Sequence, residues 1–234
     1  MDSAVTAKPR GRVRLIETLA ILAIFLSGII QGSVPQTISM IGAGIALIGW
    51  VYAVVIAVGA RQMRWLALLV LALVITSAIS AYSLTNEGAE GLLGVTQLGF
   101  LSLAFLTLGY VTLGGGEGGP LDRGVAAFYG GWGLLALVIG GTLVGGAIGT
   151  STGAAAGYIT ALGFQLYTLS GVLGAFAWVI GLVAGWRTKA WGWFAIIVLL
   201  PAIGAFMFGL FGPTRQDVIM AQEQARQKKA VGLG

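Results

Sequence analysis

Seven long apolar runs, separated by short polar connections, restrict what this chain of 234 residues can fold into. A helix needs roughly 20 mostly apolar residues to cross a hydrocarbon core of about 30 Å, and each run is close to that length or longer. Only 9% of the residues are charged, whereas soluble domains carry about a quarter. We therefore predict an all-α, polytopic transmembrane helical bundle. Its seven predicted spans are Leu15–Ile30, Ile38–Val58, Trp65–Tyr82, Leu92–Leu113, Val125–Ile148, Tyr158–Ala184 and Trp191–Phe211.

Charge at the two ends of the chain divides it into three predicted parts. Residues 1–14 are a basic N-terminal tail, residues 15–212 a single transmembrane helical domain, and residues 213–234 a charged C-terminal tail. The basic start resembles the charge pattern of a signal peptide. It lacks a small-x-small cleavage site, so the first run is interpreted as a span that is retained.

The distribution of Lys and Arg predicts the orientation of these spans. With the N-terminus in the cytoplasm, nine basic residues fall in inside segments before the last run, and the three outside connections contain none. Cytoplasmic loops carry an excess of Lys and Arg. The pattern predicts a cytoplasmic N-terminus and a location in the bacterial cytoplasmic (inner) membrane, with several passes.

The last run leaves two interpretations open. After a seventh crossing, the tail with Arg215, Arg226, Lys228 and Lys229 would lie outside, against the charge rule. Alternatively, the run enters and leaves on the cytoplasmic face, broken at Pro201 and Gly204, as a re-entrant loop buried in protein. Because a re-entrant loop needs such cover, the sequence-based prediction is seven crossings.

Missing residue types exclude several chemistries. The chain has no Cys and no His, so disulfides, thiolate nucleophiles, the usual haem ligand and the commonest general base are absent. The carboxylate inside a predicted span, Glu17, follows Arg14 by three residues, which predicts a local ion pair near the headgroups. No acid–base set can be assembled, so we expect neither an enzyme nor a bound cofactor or metal.

Small residues at four-residue spacing predict close helix packing. Such rows let the backbones of two membrane helices approach. One row lies on the fifth span at Gly141, Gly145 and Gly149, and a second lies on the sixth span at Ala177, Gly181 and Gly185. We predict that these rows pack the two spans together as an antiparallel hairpin. A glycine-lined pore or a surface for self-association is the alternative.

Uncharged polar residues inside the spans are densest on the sixth, at Gln165, Tyr167 and Thr168. They are candidate contacts for a small solute, and hydrogen bonding between helices is the alternative.

These observations favour a non-catalytic accessory or assembly subunit of a membrane complex. The expected partners are the lipid bilayer and other membrane protein subunits or a second copy of the chain, and no nucleic acid is expected. The alternative is a small-solute permease or channel. An enzyme acting on lipids is disfavoured, since no nucleophile stands beside a base.

Overall fold

Every regular element in the described part of this protein is a helix. The computed structural model describes residues 3–29, 34–86, 88–114, 119–150, 154–213, 217–220, 223, 224 and 227, and none of these forms a strand. The all-α prediction is confirmed. The helices are α1 (Ser3–Ile29), α2 (Val34–Gly59), α3 (Met63–Asn86), α4 (Gly88–Leu113), α5 (Arg123–Thr150), α6 (Ala154–Arg187), α7 (Trp191–Leu199) and α8 (Pro201–Phe211).

Three of the described helical segments are long and apolar enough to cross a membrane. They are Thr37–Gly59 on α2, Arg123–Gly146 on α5 and Leu162–Arg187 on α6. Three shorter apolar segments lie on α3, α4 and α8. The length and apolar composition of these helices indicate that the protein associates with a membrane. Helix α1 begins at Ser3, so the basic residues predicted to form a tail are the first turns of this helix.

The chain forms two compact units. The first contains residues 1–120 and 132–173, and the second contains residues 121–131 and 174–234. The predicted single domain over 15–212 is thus distributed over both units.

A face of small residues on α2 holds the first unit together. Gly42, Ala46 and Gly49 follow one another at helical spacing, and the same face continues to Ala53 and Ala57. A methyl group at position 42 would lie 2.8 Å from Cγ1 of Ile24 on α1. Small side chains therefore let the backbones of α1 and α2 approach closely.

Alanines mark the centre of this unit. Ala20 of α1, Ala46 of α2 and Ala104 of α4 are fully buried and form one cluster. Helix α1 is antiparallel to α2, because Ile24 faces Gly42 and Glu17 faces Gly49. It is also antiparallel to α4, because Ala20 lies against Ala104 and Arg14 reaches Val111.

In the second unit, α7 and α8 fold back on each other as a helical hairpin. The Trp193 and Phe208 rings lie 6.0 Å apart, and a methyl group on Gly204 would lie 2.7 Å from the Ile196 carbonyl oxygen. With 9 and 11 residues, the two helices are only about 14 and 17 Å long. The stretch Trp191–Phe211 is therefore two short helices and not one continuous helix, and its number of membrane crossings stays a prediction.

Proline explains where the hairpin bends. Pro201 has no backbone N–H, so it cannot donate to the carbonyl of Ile197 four residues earlier. The indole Nε1 of Trp178 on α6 donates to that oxygen instead, at 3.1 Å. The break is thus satisfied by a side chain from another helix, which is how non-helical backbone is tolerated in an apolar environment.

Both ends of the hairpin lie at the same end of this unit. At its start, the rings of Trp186, Trp191 and Phe194 pack together beside the turn that follows α6. At its end, the Arg123 guanidinium at the start of α5 donates to the carbonyl of Gly212. The chain therefore leaves α8 beside the first turn of α5.

Candidate functional site

The most unusual group in the first unit is a buried acid on α1. Glu17 is fully buried, and neither of its carboxyl oxygens has a hydrogen-bond partner among the described residues. Its Oε1 lies against Gly49 of α2, where a methyl group would come within 2.5 Å of this oxygen. Glycine at position 49 therefore makes room for the carboxyl group.

A threonine of α4 lies at the same level of the bundle. Glu17 precedes Ala20 by three residues, whereas Gly49 follows Ala46 and Thr107 follows Ala104 by three residues. Because α1 is antiparallel to α2 and α4, all three residues lie on the same side of the alanine cluster. Thr107 is fully buried, and its Oγ1 likewise lacks a hydrogen-bond partner within the described chain. Three unsatisfied oxygens thus share one layer, which is uncommon because buried polar groups normally have a partner.

The predicted ion pair between Arg14 and Glu17 is wrong. The Arg14 guanidinium instead donates to the backbone carbonyl of Val111 on α4, at 3.4 Å. The reason is geometric: Arg14 is on the exposed side of α1, whereas Glu17 points into the bundle. No Lys or Arg among the described residues hydrogen-bonds to the carboxyl group.

A polar cluster lies beyond Glu17, toward the N-terminal end of α1. Gln62, in the link between α2 and α3, accepts at Oε1 from the Arg10 guanidinium at 3.1 Å and from the Tyr110 hydroxyl at 3.0 Å. Its Nε2 donates to the carbonyl of Gly114 at 2.8 Å. The guanidinium also lies over the Tyr110 ring, 5.6 Å from the centroid. Arg10 is seven residues before Glu17, which places this cluster about 10 Å away along the helix axis.

Two glycines of the predicted row on α5, Gly141 and Gly145, face no described atom of another helix. A methyl group at Gly141 or Gly145 would have no atom of the described chain within 4 Å, and both residues are exposed. Gly149 lies near the end of α5, where the side-chain surroundings are outside the described residues. A packing role for this row toward another helix stays a prediction.

Helices α5 and α6 approach each other one residue away from that row. A methyl group on Gly140 would lie 2.8 Å from the carbonyl oxygen of Gly163, and one on Gly163 would lie 2.6 Å from Cγ2 of Val144. The close contact is made by Gly140, which sequence reasoning missed. Adjacent residues differ by about 100° around a helix, so position 141 faces elsewhere.

The second predicted row packs against a different partner from the one predicted. Ala177 is fully buried, and a methyl group on Gly181 would lie 3.1 Å from Cβ of Ala205 on α8. At Gly185 the nearest atom would be Cδ1 of Ile197 on α7, at 3.7 Å. This row therefore contacts the hairpin α7–α8, because the bend at Pro201 brings both short helices to this face of α6.

The three candidate solute contacts lie on one helix, α6, and their role as solute contacts stays a prediction. Tyr167 is 58% exposed, and the exposed Thr168 hydroxyl donates to the Phe164 carbonyl of its own helix at 2.9 Å. Gln165 is half-buried, and it is about 160° around α6 from Tyr167. The structure therefore places Gln165 and Tyr167 on different sides of α6.

The arrangement defines a class but not a family. It is an all-helical protein with helices apolar enough to cross a membrane, and its described residues contain no group of three or more Asp, Glu, His or Cys side chains placed to hold a metal ion. No protein-family model matches the chain, and no curated protein or solved structure is significantly similar to it.

Proposed function

We propose that this chain is a non-catalytic accessory or assembly subunit of a complex in the bacterial cytoplasmic membrane. The observation that carries the proposal is the open glycine face of α5, formed by Gly141 and Gly145. Glycine inside a helix costs up to about 1 kcal/mol relative to alanine. Nothing within the described chain uses the space that these two glycines leave, so a helix of a partner accounts for them best.

The proposed topology has six crossings, α1 to α6, followed by the re-entrant hairpin α7–α8. A hairpin that returns to its own side puts the C-terminal tail on the side of Arg123, Arg187 and Lys189. All thirteen Lys and Arg residues of the chain then lie on the cytoplasmic side together with the N-terminus, as the charge rule favours.

Thiol labelling tests this topology, since the native chain has no cysteine. Gln222→Cys in the tail is compared with Ser151→Cys in a proposed outside connection. A membrane-impermeant maleimide added to intact spheroplasts should label only position 151, and permeabilised membranes should allow both. Labelling of position 222 in intact spheroplasts would contradict the hairpin topology.

Association is tested by purifying the full chain in mild detergent and measuring the stoichiometry of its partners. The variant carries Gly141→Ile and Gly145→Ile. Its matched control is Gly171→Ile on α6, because Gly171 is also exposed and a methyl group there would have no described atom within 4 Å. The double variant should lose its partners severalfold while the control keeps them. Retention of the same partners by both would refute the proposal.

The same face distinguishes a second copy from a different subunit. Thr142 is exposed and lies in sequence between the two glycines, so two copies of the Thr142→Cys variant that meet at this face should form a disulfide when copper–phenanthroline is added as the oxidant. A crosslinked dimer of this chain would indicate self-association. Absence of that dimer, together with partner loss in the double variant, would indicate a different subunit.

A small-solute permease or channel is the second candidate, favoured by the broken hairpin α7–α8. Discontinuous helices line the binding sites of many transporters. Purified protein alone in liposomes should then show solute flux, and Trp178→Phe should change this flux because the indole satisfies the break at Ile197. Liposomes without flux, from protein that copurifies with stoichiometric subunits, would favour the accessory role.

A further inference from the structure

Glu17 is the buried ionisable group that the packing of the first unit leaves unexplained. An ionised carboxylate is very costly to bury without hydrogen bonds or a counter-charge, and such a group becomes neutral by taking up a proton. Ionisable residues within membrane helices generally mark ion or proton sites. We propose that Glu17 is a reversible proton-binding site in the layer formed with Gly49 and Thr107.

Among the described side chains of the helices that pack against it, none brings an opposite charge to this carboxyl group. On α1 itself, Arg10 binds Gln62 and Arg14 binds the carbonyl of Val111. Helix α2 contains no Asp, Glu, Lys or Arg, and its titratable residue is the half-buried Tyr52. Over the described side chains of α4, from position 98 to 113, the titratable group is Tyr110, whose hydroxyl donates to Gln62.

A proton fits the site better than a metal cation does. Hard cations such as Ca²⁺ need six or more oxygen ligands, and the side chains in this layer supply the two Glu17 oxygens and Thr107 Oγ1. The space between the carboxyl group and α2 does not accept even a methyl group at position 49. A proton requires no such space.

The packing also indicates how the proton is exchanged. Because Oε1 lies only 2.5 Å from where a Cβ at Gly49 would stand, hydration of the ionised carboxylate requires α1 and α2 to separate locally. The polar cluster around Gln62, which includes Arg10 of α1, lies about 10 Å away along the axis of this helix. Water entering from that end is the route that the geometry provides.

The experiment uses the purified full chain in liposomes and a membrane-permeable hydrophobic carbodiimide. The protonated carboxyl adds across one C=N bond of the reagent, and the adduct rearranges to a stable N-acylurea with no leaving group, which mass spectrometry assigns to a residue. Glu17 should be labelled, and its rate should fall about tenfold for each pH unit above the midpoint of its titration. A water-soluble carbodiimide should label the exposed Asp122 and Glu223 instead.

Two glycines of α2 provide the matched variants. Gly49→Ala places a methyl group against the carboxyl oxygen and should change the Glu17 labelling rate severalfold. Gly44→Ala is the control, because Gly44 is exposed and a methyl group there would have no described atom within 4 Å; its rate should equal that of the native chain. Glu17→Gln should remove the labelled peptide altogether.

Three results would overturn the proposal: no labelling of Glu17 at any pH, a labelling rate that does not depend on pH, or equal rates in G49A and G44A. The native chain and these two glycine variants decide the matter even if E17Q does not fold. The proposal does not depend on the accessory role, because labelling reports on the isolated chain and partner loss is measured on the α5 variants.

Discussion

Two glycine-bearing helix faces in the first unit differ in what meets them. On α2, Gly42 and Gly49 are filled by Ile24 and Glu17 of α1, and even a methyl group at either position would overlap these side chains. On α5, Gly141 and Gly145 meet nothing within 4 Å in the described chain. On both helices the small residues recur every three or four positions, so the sequence spacing does not distinguish the two faces.

The difference shows what a row of small residues does and does not determine. It permits close approach of another backbone, but the approaching helix is selected by the remainder of the fold. A filled face contributes to the stability of the chain itself, whereas an open face contributes only when something docks on it. Substitutions on the two kinds of face should therefore have different readouts.

The largest effect is expected where glycines of two helices meet. Gly163→Leu should lower the free energy of unfolding by about 3 kcal/mol, because backbone as well as side-chain atoms of α5 would have to move. SDS titration of the protein in mixed micelles measures this quantity. Gly171→Leu on the same helix, with open space around it, should change it by less than about 0.5 kcal/mol. Equal losses would remove the distinction between filled and open faces.

A smaller loss of unfolding free energy is expected where the contact between two helices is a hydrogen bond. Trp178→Phe leaves the buried Ile197 carbonyl without its donor, which should cost about 2 kcal/mol. In a Pro201→Ala background the new backbone N–H can bond to that oxygen, so the same change should cost about 1 kcal/mol less. A double-mutant cycle on unfolding free energies measures the coupling. Strict additivity would show that the proline and the indole act independently.

The filled face of α2 should respond less than the α5–α6 contact does. At Gly42 the nearest atom is Cγ1 of Ile24, which belongs to a movable side chain. Gly42→Ala should therefore lower the unfolding free energy by about 1 kcal/mol. The exposed Gly44→Ala should leave stability unchanged or raise it, because alanine is the better helix former. Similar destabilisation by both would mean that α1 does not pack on this face.

An effect of similar size but of opposite sign is expected on the open face. Gly141→Ala combined with Gly145→Ala should stabilise the isolated chain by about 1 kcal/mol, through helix propensity. The same variant should weaken partner association in the copurification experiment. Destabilisation of the isolated chain would show that this face is already in use within the molecule.

Much of the helical fold could be predicted because each apolar run is bounded by polar residues. The predicted spans on α2 to α6 lie within the observed helices. The bend at Pro201 was among the alternatives, but proline and glycine alone do not distinguish a kink from a return. The deciding contact joins Trp178 to Ile197, and sequence does not show which side chain satisfies the orphaned carbonyl.

The candidate sites were harder to predict for a related reason. In a chain that is apolar on nearly every side, the hydrophobic pattern does not show which face of a helix is inside. Gly140 and Gly141 are therefore equivalent in sequence and opposite in environment. Glu17 was recognisable as a carboxylate within an apolar run. The sequence did not show that Arg14 would donate to the carbonyl of Val111, 97 residues later, because this is a tertiary contact.

The hairpin α7–α8 also bears on how the protein enters the membrane. In the six-crossing arrangement, no Lys or Arg is carried through the bilayer, since every outside connection lacks them. In this proposed topology, the last apolar segment enters and leaves on the cytoplasmic face, so the charged tail would stay on the side where it is synthesised. In the same proposed topology, insertion of this segment would follow that of α6, because Trp178 of α6 donates to the carbonyl that the bend at Pro201 leaves free.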